Sequence, residues 1–66
     1  MLKDVIGENS GKVWHLLNDK GELTFNQIKK DLKMKNEEIY LALGWLFRED
    51  VIYAYEKDET VLYGRR

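Results

Sequence analysis

The sequence contains no cysteine and no proline, and it has a single histidine. Without cysteine the chain can form neither a disulfide nor a thiolate zinc site, and carboxylates alone specify a metal weakly. No apolar run reaches the length of a membrane span, and the first four residues lack the apolar core of a signal peptide. We therefore expect no metal or other cofactor, no membrane partner and a cytoplasmic location.

The 66 residues are enough for one small domain, and we expect residues 1–66 to form it. A chain of this length buries only about 60% of its unfolded surface, so it depends on a well-ordered core or on a partner subunit. The composition supplies core material, because 44% of the residues are hydrophobic and 12% are aromatic. A net charge of -1 argues mildly against a dedicated nucleic-acid binder, since such proteins are usually basic.

The apolar residues near the N-terminus recur with helical spacing and predict a first helix from about Asp4 to Asp19. Gly7 and Gly11 lie one turn apart within it. They indicate either a frayed start or the close approach of another element, such as a second subunit. The predicted apolar side of this helix consists of Leu2, Val5, Ile6, Val13, Leu16 and Leu17.

A second helix is predicted from about Phe25 to Leu32. Thr24 and Gln27 have the spacing of a capping box, in which each side chain accepts a hydrogen bond from the other residue's backbone. Leu23, just before the cap, is placed to pack on this helix or to pair briefly with a later strand.

A third helix is predicted to begin after Asn36, a good cap residue, and to stop near Glu49. Glu37 and Glu38 occupy its first turn, where negative charge favours the helix dipole. Its predicted apolar side consists of Ile39, Ala42, Leu43, Leu46 and Phe47.

The last part of the chain changes to β-branched and aromatic residues and predicts two strands, over residues 51–55 and 60–63. The polar segment 56–59 lacks an Asn-Gly or Asp-Gly pair, so we expect a hairpin loop of three to five residues. We expect residues 64–66 to be a frayed tail.

This order of elements predicts an α+β winged helix-turn-helix, with three helices followed by a two-stranded hairpin wing. Residues 23–55 resemble the winged-helix pattern of many prokaryotic regulators, although Asp50 stands where glycine is common. The segments Ile6–Trp14 and Leu41–Leu46 more narrowly resemble a family of small, uncharacterised prokaryotic winged helix-turn-helix proteins. This resemblance implies the fold and no particular ligand.

The winged-helix pattern makes a double-stranded DNA-binding, regulator-like module the first functional hypothesis. The third helix is a poor base reader, because only Arg48 on its predicted outward face belongs to the usual base-reading types. Phosphate contacts would instead come from basic side chains, although lysines on a helix are often only a solvated face. The predicted outward face consists of Glu37, Glu38, Leu41, Gly44, Trp45 and Arg48, and the candidate phosphate-binding lysines are Lys29, Lys30, Lys33, Lys35 and, at the wing tip, Lys57.

A protein-interaction or homodimerisation module that does not bind DNA is the alternative. Leu41 and Trp45 lie one turn apart beside Gly44, and exposed apolar and tryptophan side chains are typical of interfaces. Trp14, beside the glycines of the first helix, is a further candidate. The opposing interpretation is that the first helix or the wing covers these residues.

An enzyme is not expected. Ser10 and His15, the only serine and histidine, lie about 140° apart around the first helix and cannot pair there. No glycine-rich loop follows a strand, and no small-molecule substrate is indicated. A structural subunit of a larger complex stays open as a third class.

Overall fold

The computed structural model describes the backbone of residues 2–66 and the side chains from Lys3 onwards, so the predicted apolar side chain of Leu2 lies outside the described residues. Three helices are followed by a β-hairpin, which confirms the predicted α+β winged-helix order. The elements are α1 (Leu2–Lys20), β1 (Leu23–Thr24), α2 (Phe25–Leu32), α3 (Asn36–Arg48), β2 (Ile52–Lys57) and β3 (Thr60–Arg65).

The core lies where the three helices meet the base of the hairpin. Ser10 is the one buried polar residue among those described, and its hydroxyl donates to the Ile6 carbonyl at 2.6 Å and reaches the Ala42 carbonyl at 3.4 Å. Small residues at this point let α1 and α3 approach closely. The buried apolar side chains are Val13, Leu17, Leu23, Ile28, Met34, Ile39, Ala42, Leu43, Leu46 and Ile52.

The starts of α2 and α3 are stabilised in similar ways. Gln27 and Thr24 exchange hydrogen bonds of 2.8 and 3.2 Å, which confirms the predicted capping box. The predicted cap at Asn36 is wrong. Lys35 precedes the helix instead, because Glu38 accepts the Lys35 backbone N–H at 2.8 Å and Asn36 already has helical geometry.

The three strands form an antiparallel sheet in the order β1-β3-β2. Leu23 pairs with Tyr63, which confirms its predicted pairing with a later strand. The predicted frayed tail is wrong, because β3 continues through Arg65 and the Arg66 N–H donates to the Val51 carbonyl at 2.9 Å. These bonds tie the end of the described chain to the start of the wing.

The hairpin turn contains two residues, so the predicted loop of three to five residues is wrong. Asp58 and Glu59 both adopt left-handed backbone conformations, with φ of 52° and 64°. Two such residues in succession match the right-handed twist of the flanking strands, and glycine or asparagine usually supplies them. Non-glycine residues therefore store strain at the wing tip.

Replacing Glu59 with glycine should relieve this strain. The left-handed conformation costs an L-residue roughly 1–2 kcal/mol, so Glu59→Gly should stabilise the domain by about 1 kcal/mol in urea unfolding. Glu59→Ala is the matched control, because it removes the same side chain and retains the strained φ. Equal stability of the two variants would contradict this explanation.

Two residues predicted to lie on the apolar sides of helices are exposed, because the neighbouring elements cover only part of each apolar side. Val5 is 46% exposed and Phe47 is 42% exposed.

The frayed start predicted for the first helix is wrong, since α1 is helical through Gly7 and Gly11. Apart from the adjoining residues and the nearby backbone of α1, no described atom lies within 4 Å of a Cβ built at either glycine, so no other described element approaches them. Asp50 takes φ of 60°, the left-handed conformation that glycine adopts most readily, at the position where the winged-helix pattern commonly has glycine.

Candidate functional site

The outward side of α3 is the surface on which DNA and protein hypotheses compete. Glu37, Leu41, Gly44 and Arg48 are exposed, as predicted, and Glu38 is half-buried. The Arg48 guanidinium lies 5.6 Å from the centre of the half-buried Trp45 ring. Since Glu38 already accepts a backbone N–H, the positive end of α3 is partly neutralised before any phosphate could approach it.

A groove of about 460 Å³ runs between the first part of α1 and the start of α3. Leu41, 49% exposed, and Val5 form much of its apolar floor. The carboxylates of Glu37 and Glu38 and the ammonium group of Lys35 border this floor. We call this surface the α1–α3 groove, and its lining residues are Val5, Ile6, Asn9, Lys35, Glu37, Glu38 and Leu41.

Trp14 does not join the other predicted interface residues. It is half-buried, packs against the core and contacts the ring of the exposed His15 edge-on. The Arg65 guanidinium lies 6.0 Å from its ring centre. Trp14 is about 140° around α1 from Asn9, which lines the α1–α3 groove, and it is not among the residues that line that groove.

Four of the predicted phosphate-binding lysines lie at the end of α2 and in the turn to α3. Asp31, the only acidic residue among them in sequence, is paired with Lys20 at 3.5 Å. None of the four forms an ion pair with a described residue. We call Lys29, Lys30, Lys33 and Lys35, all exposed, the lysine cluster. Lys57 is exposed at the end of β2, as predicted for the wing tip.

An aromatic surface that the sequence patterns did not predict lies between α2, α3 and the inner side of the wing. Phe25 and Tyr40 are stacked, with ring centres 4.5 Å apart and planes at 26°. Phe47 and Tyr63 contact each other at 6.3 Å. Tyr63 pairs with Leu23, two residues before Phe25, which brings the second pair close to the first. Burial, and secondarily the electrostatic interaction with Tyr40, raise the pKa of Tyr63 above 10.0. We call these four residues the aromatic surface.

A spacing signal for this surface was present in the sequence. Tyr40, Gly44 and Phe47 recur at intervals of four and three residues, beside the stripe that enters the core. The excess width of the apolar side of α3 therefore indicates a surface beyond the core. Of these residues the sequence analysis predicts only Phe47 on the apolar side of α3, because spacing cannot say how wide an arc the neighbouring elements cover.

The outer side of the sheet carries a polar cluster that also went unpredicted. Glu22 accepts hydrogen bonds from the Tyr53 hydroxyl at 2.6 Å and from the Tyr55 hydroxyl at 2.5 Å. The bond from Tyr53, then that from Tyr55, hold the pKa of Glu22 below its usual 4.5. The same bonds raise the pKa of each tyrosine above 10.0. This Glu22–tyrosine cluster joins the loop after α1 to the wing.

Residues with catalytic chemistry are not brought together within the described part of the chain. The Ser10 hydroxyl is buried against backbone carbonyls, and His15 is exposed on another side of α1. Among residues 2–66 no three histidine or acidic side chains converge in a way that could hold a metal ion. No described helix combines the length and apolarity needed to span a membrane.

The three helices, the short first strand and the hairpin define a winged helix-turn-helix protein. Residues 1–63 match the family model for the winged helix-turn-helix domain DUF2582, and the chain belongs to that family. An uncharacterised protein of Methanocaldococcus jannaschii is 40% identical over 57 residues, which cover 82% of this chain and 80% of that protein. The solution NMR structure of a Bacteroides thetaiotaomicron protein has a TM-score of 0.88 at 31% identity, covering 98% and 79% of the two chains.

Proposed function

We propose that this winged-helix domain acts by protein contact and that it forms a homodimer through the α1–α3 groove. The observation that carries the proposal is the exposure of Leu41 and Val5 on facing helices, where they line one concave apolar surface. Exposed apolar side chains concentrated in a groove are typical of interaction sites. The half-buried Trp45, one turn beyond Leu41, extends the same surface.

The charges around the α1–α3 groove favour a second copy as the partner. Lys35 lies beside Glu37 and Glu38 on the same rim. In a two-fold interface each surface meets itself, so the lysine of one copy can face the carboxylates of the other. Gly44, with no described atom near its Cβ position, leaves room for the backbone of the partner to approach. A dimer would also supply stability that a short chain lacks.

Sedimentation velocity tests the homodimer directly. The wild-type protein should sediment as a dimer, and Leu41→Glu should weaken dimerisation by at least about thirtyfold, because it places a carboxylate at the centre of the interface. Val61→Glu is the matched control, since Val61 is 43% exposed on the wing and should tolerate glutamate with no change in mass.

A monomeric wild-type protein over the whole concentration range would overturn the homodimer. If Leu41→Glu and Val61→Glu dissociated the dimer equally, the interface would not lie in the α1–α3 groove. Circular dichroism of both variants verifies that each one is folded. If the protein is monomeric and a partner instead protects Leu41 from exchange, the module belongs to a larger complex.

Contact with nucleic-acid phosphates is the second candidate function, and the unpaired lysine cluster supports it. Four exposed ammonium groups within seven residues can follow a phosphate backbone and give affinity without sequence selection. Lys57 at the wing tip and Arg48 at the end of α3 are the further basic contacts. Base reading by α3 is not part of this candidate, because acidic and apolar groups occupy most of its outward side.

A further inference from the structure

We propose that the lysine cluster and the aromatic surface together bind single-stranded nucleic acid, with an unpaired base stacked on Tyr40. The inference rests on the second candidate function, phosphate contact by the lysines, and its stacking residues lie outside the α1–α3 groove, which shares only Lys35 with the lysine cluster. Tyr40 is 60% exposed, the most exposed large apolar side chain described. An exposed tyrosine whose stacking partner lies one helical turn from unpaired lysines matches the two requirements of a single-strand site, a stacking platform and a positive path.

The geometry at Tyr40 is suited to stacking. One side of its ring rests on Phe25 at 4.5 Å, and the exposed fraction leaves the rest of the ring accessible to a planar ligand. Phe25 therefore holds Tyr40 in one orientation, which reduces the entropy lost when a base binds. Tyr63 and Phe47 continue the aromatic surface towards the wing, where a second base can lie.

The lysine cluster begins one helical turn from this aromatic pair. Lys29 is four residues after Phe25 on α2, so the two side chains lie on the same side of the helix. Lys33 follows after another four residues, at the left-handed end of α2. Phosphates bound along this line would carry the adjoining base to Tyr40.

A single strand fits this arrangement better than a duplex. Duplex bases are stacked on each other, so a ring on the protein surface reaches one only after unstacking, which costs a few kcal/mol per step. Glu37 and Glu38 at the start of α3 also repel a second phosphate backbone near the groove. An unpaired strand presents its base faces freely and can pass the carboxylates on one side.

Fluorescence anisotropy with short labelled oligonucleotides tests the proposal. Oligo-U and oligo-dT should bind more tightly than a duplex of the same length, and the two single strands distinguish RNA from DNA as the ligand. Tyr40→Ala should weaken single-strand binding by about tenfold or more and leave its salt dependence unchanged. Tyr55→Ala is the matched control, because Tyr55 is 40% exposed on the other side of the sheet.

The lysines should behave differently from Tyr40. The double variant Lys29→Ala/Lys33→Ala should weaken binding and lower the slope of log affinity against log salt by about one to two. Lys3→Ala/Lys12→Ala, on α1, should have little effect. Leu41→Glu should bind the single strands as the wild type does, which separates this site from the homodimer interface.

Three results would overturn the proposal. Duplex binding equal to or tighter than single-strand binding would leave the phosphate contacts standing and remove the stacking site. If Tyr40→Ala bound single strands with unchanged affinity, the stacking site would also be ruled out and the phosphate contacts would stand. No binding of any oligonucleotide at low salt would remove both the phosphate contacts and this inference, whatever the mass of the protein.

Discussion

Replacing Leu17 with alanine should cost the domain about 2–5 kcal/mol of unfolding free energy. Leu17 is 1% exposed and lies among the largest fully buried side chains, where α1 meets the rest of the core. Truncation leaves a cavity that close-packed neighbours fill only partly. Since the total stability of a small domain is of similar size, Leu17→Ala should be partly or wholly unfolded at room temperature, as measured by circular dichroism and urea titration.

Val61→Ala is the control for Leu17→Ala, since it shortens an aliphatic side chain that is 43% exposed. It should change stability by less than about 0.5 kcal/mol. If the two variants were equally stable, the core would not be centred on the α1 residues that the structure buries.

Gly64→Ala should destabilise the wing by about 1–3 kcal/mol, the usual cost of overpacking. A Cβ on Gly64 would lie 2.5 Å from both Cζ and the hydroxyl oxygen of Tyr53. The tyrosine ring crosses the buried glycine to reach Glu22, so moving it away from the new methyl group would strain its hydrogen bond to Glu22. Amide hydrogen exchange in β2 and β3 should then accelerate.

The double variant Tyr53→Ala/Gly64→Ala tests this cause. Without the ring, alanine at position 64 should be neutral or slightly stabilising, because glycine is a poor strand residue. A cost of Gly64→Ala that persists in the Tyr53→Ala background would contradict the clash.

The cost of Gly64→Ala should also depend on pH through the Glu22–tyrosine cluster. Glu22 has a lowered pKa when folded, so its contribution is complete above the unfolded value near 4.5 and disappears as pH falls through the folded pKa. Tyr53 has a raised pKa, so its contribution is complete below 10.0 and disappears as pH rises through the folded value. The difference between wild type and Gly64→Ala should therefore be largest between these limits, in urea titrations at several pH values.

Local signals in the sequence were sufficient where the chain's own neighbours decide the conformation. The α2 bounds and its capping box follow from Thr24 and Gln27, which are three residues apart and need no distant partner. The pairing of Leu23 was also foreseen as an alternative. At the wing tip local reasoning failed, because the register of β2 and β3 forced two residues into left-handed conformations that their types disfavour.

The candidate surfaces show the same division. Exposure of Leu41 and its neighbours on α3 followed from helical spacing, which also placed the lysines on one short segment. Spacing could not reveal that Trp14 packs against the core beside Arg65, because the wing that carries Arg65 is distant in sequence. Nor could it reveal the stacking of Phe25 on Tyr40, whose residues are fifteen positions apart in sequence.

The sequence by itself determined the order of helices and strands, the lack of cysteine chemistry and the positions of most core residues. Periodicity and caps are properties of consecutive residues, so they can be read without knowing the fold. Only the tertiary structure decided which apolar stripes remain uncovered, since exposure depends on the crossing of α1, α3 and the wing. That crossing leaves Leu41 in a groove, stacks Tyr40 on Phe25 and brings Glu22 to the tyrosines of the wing.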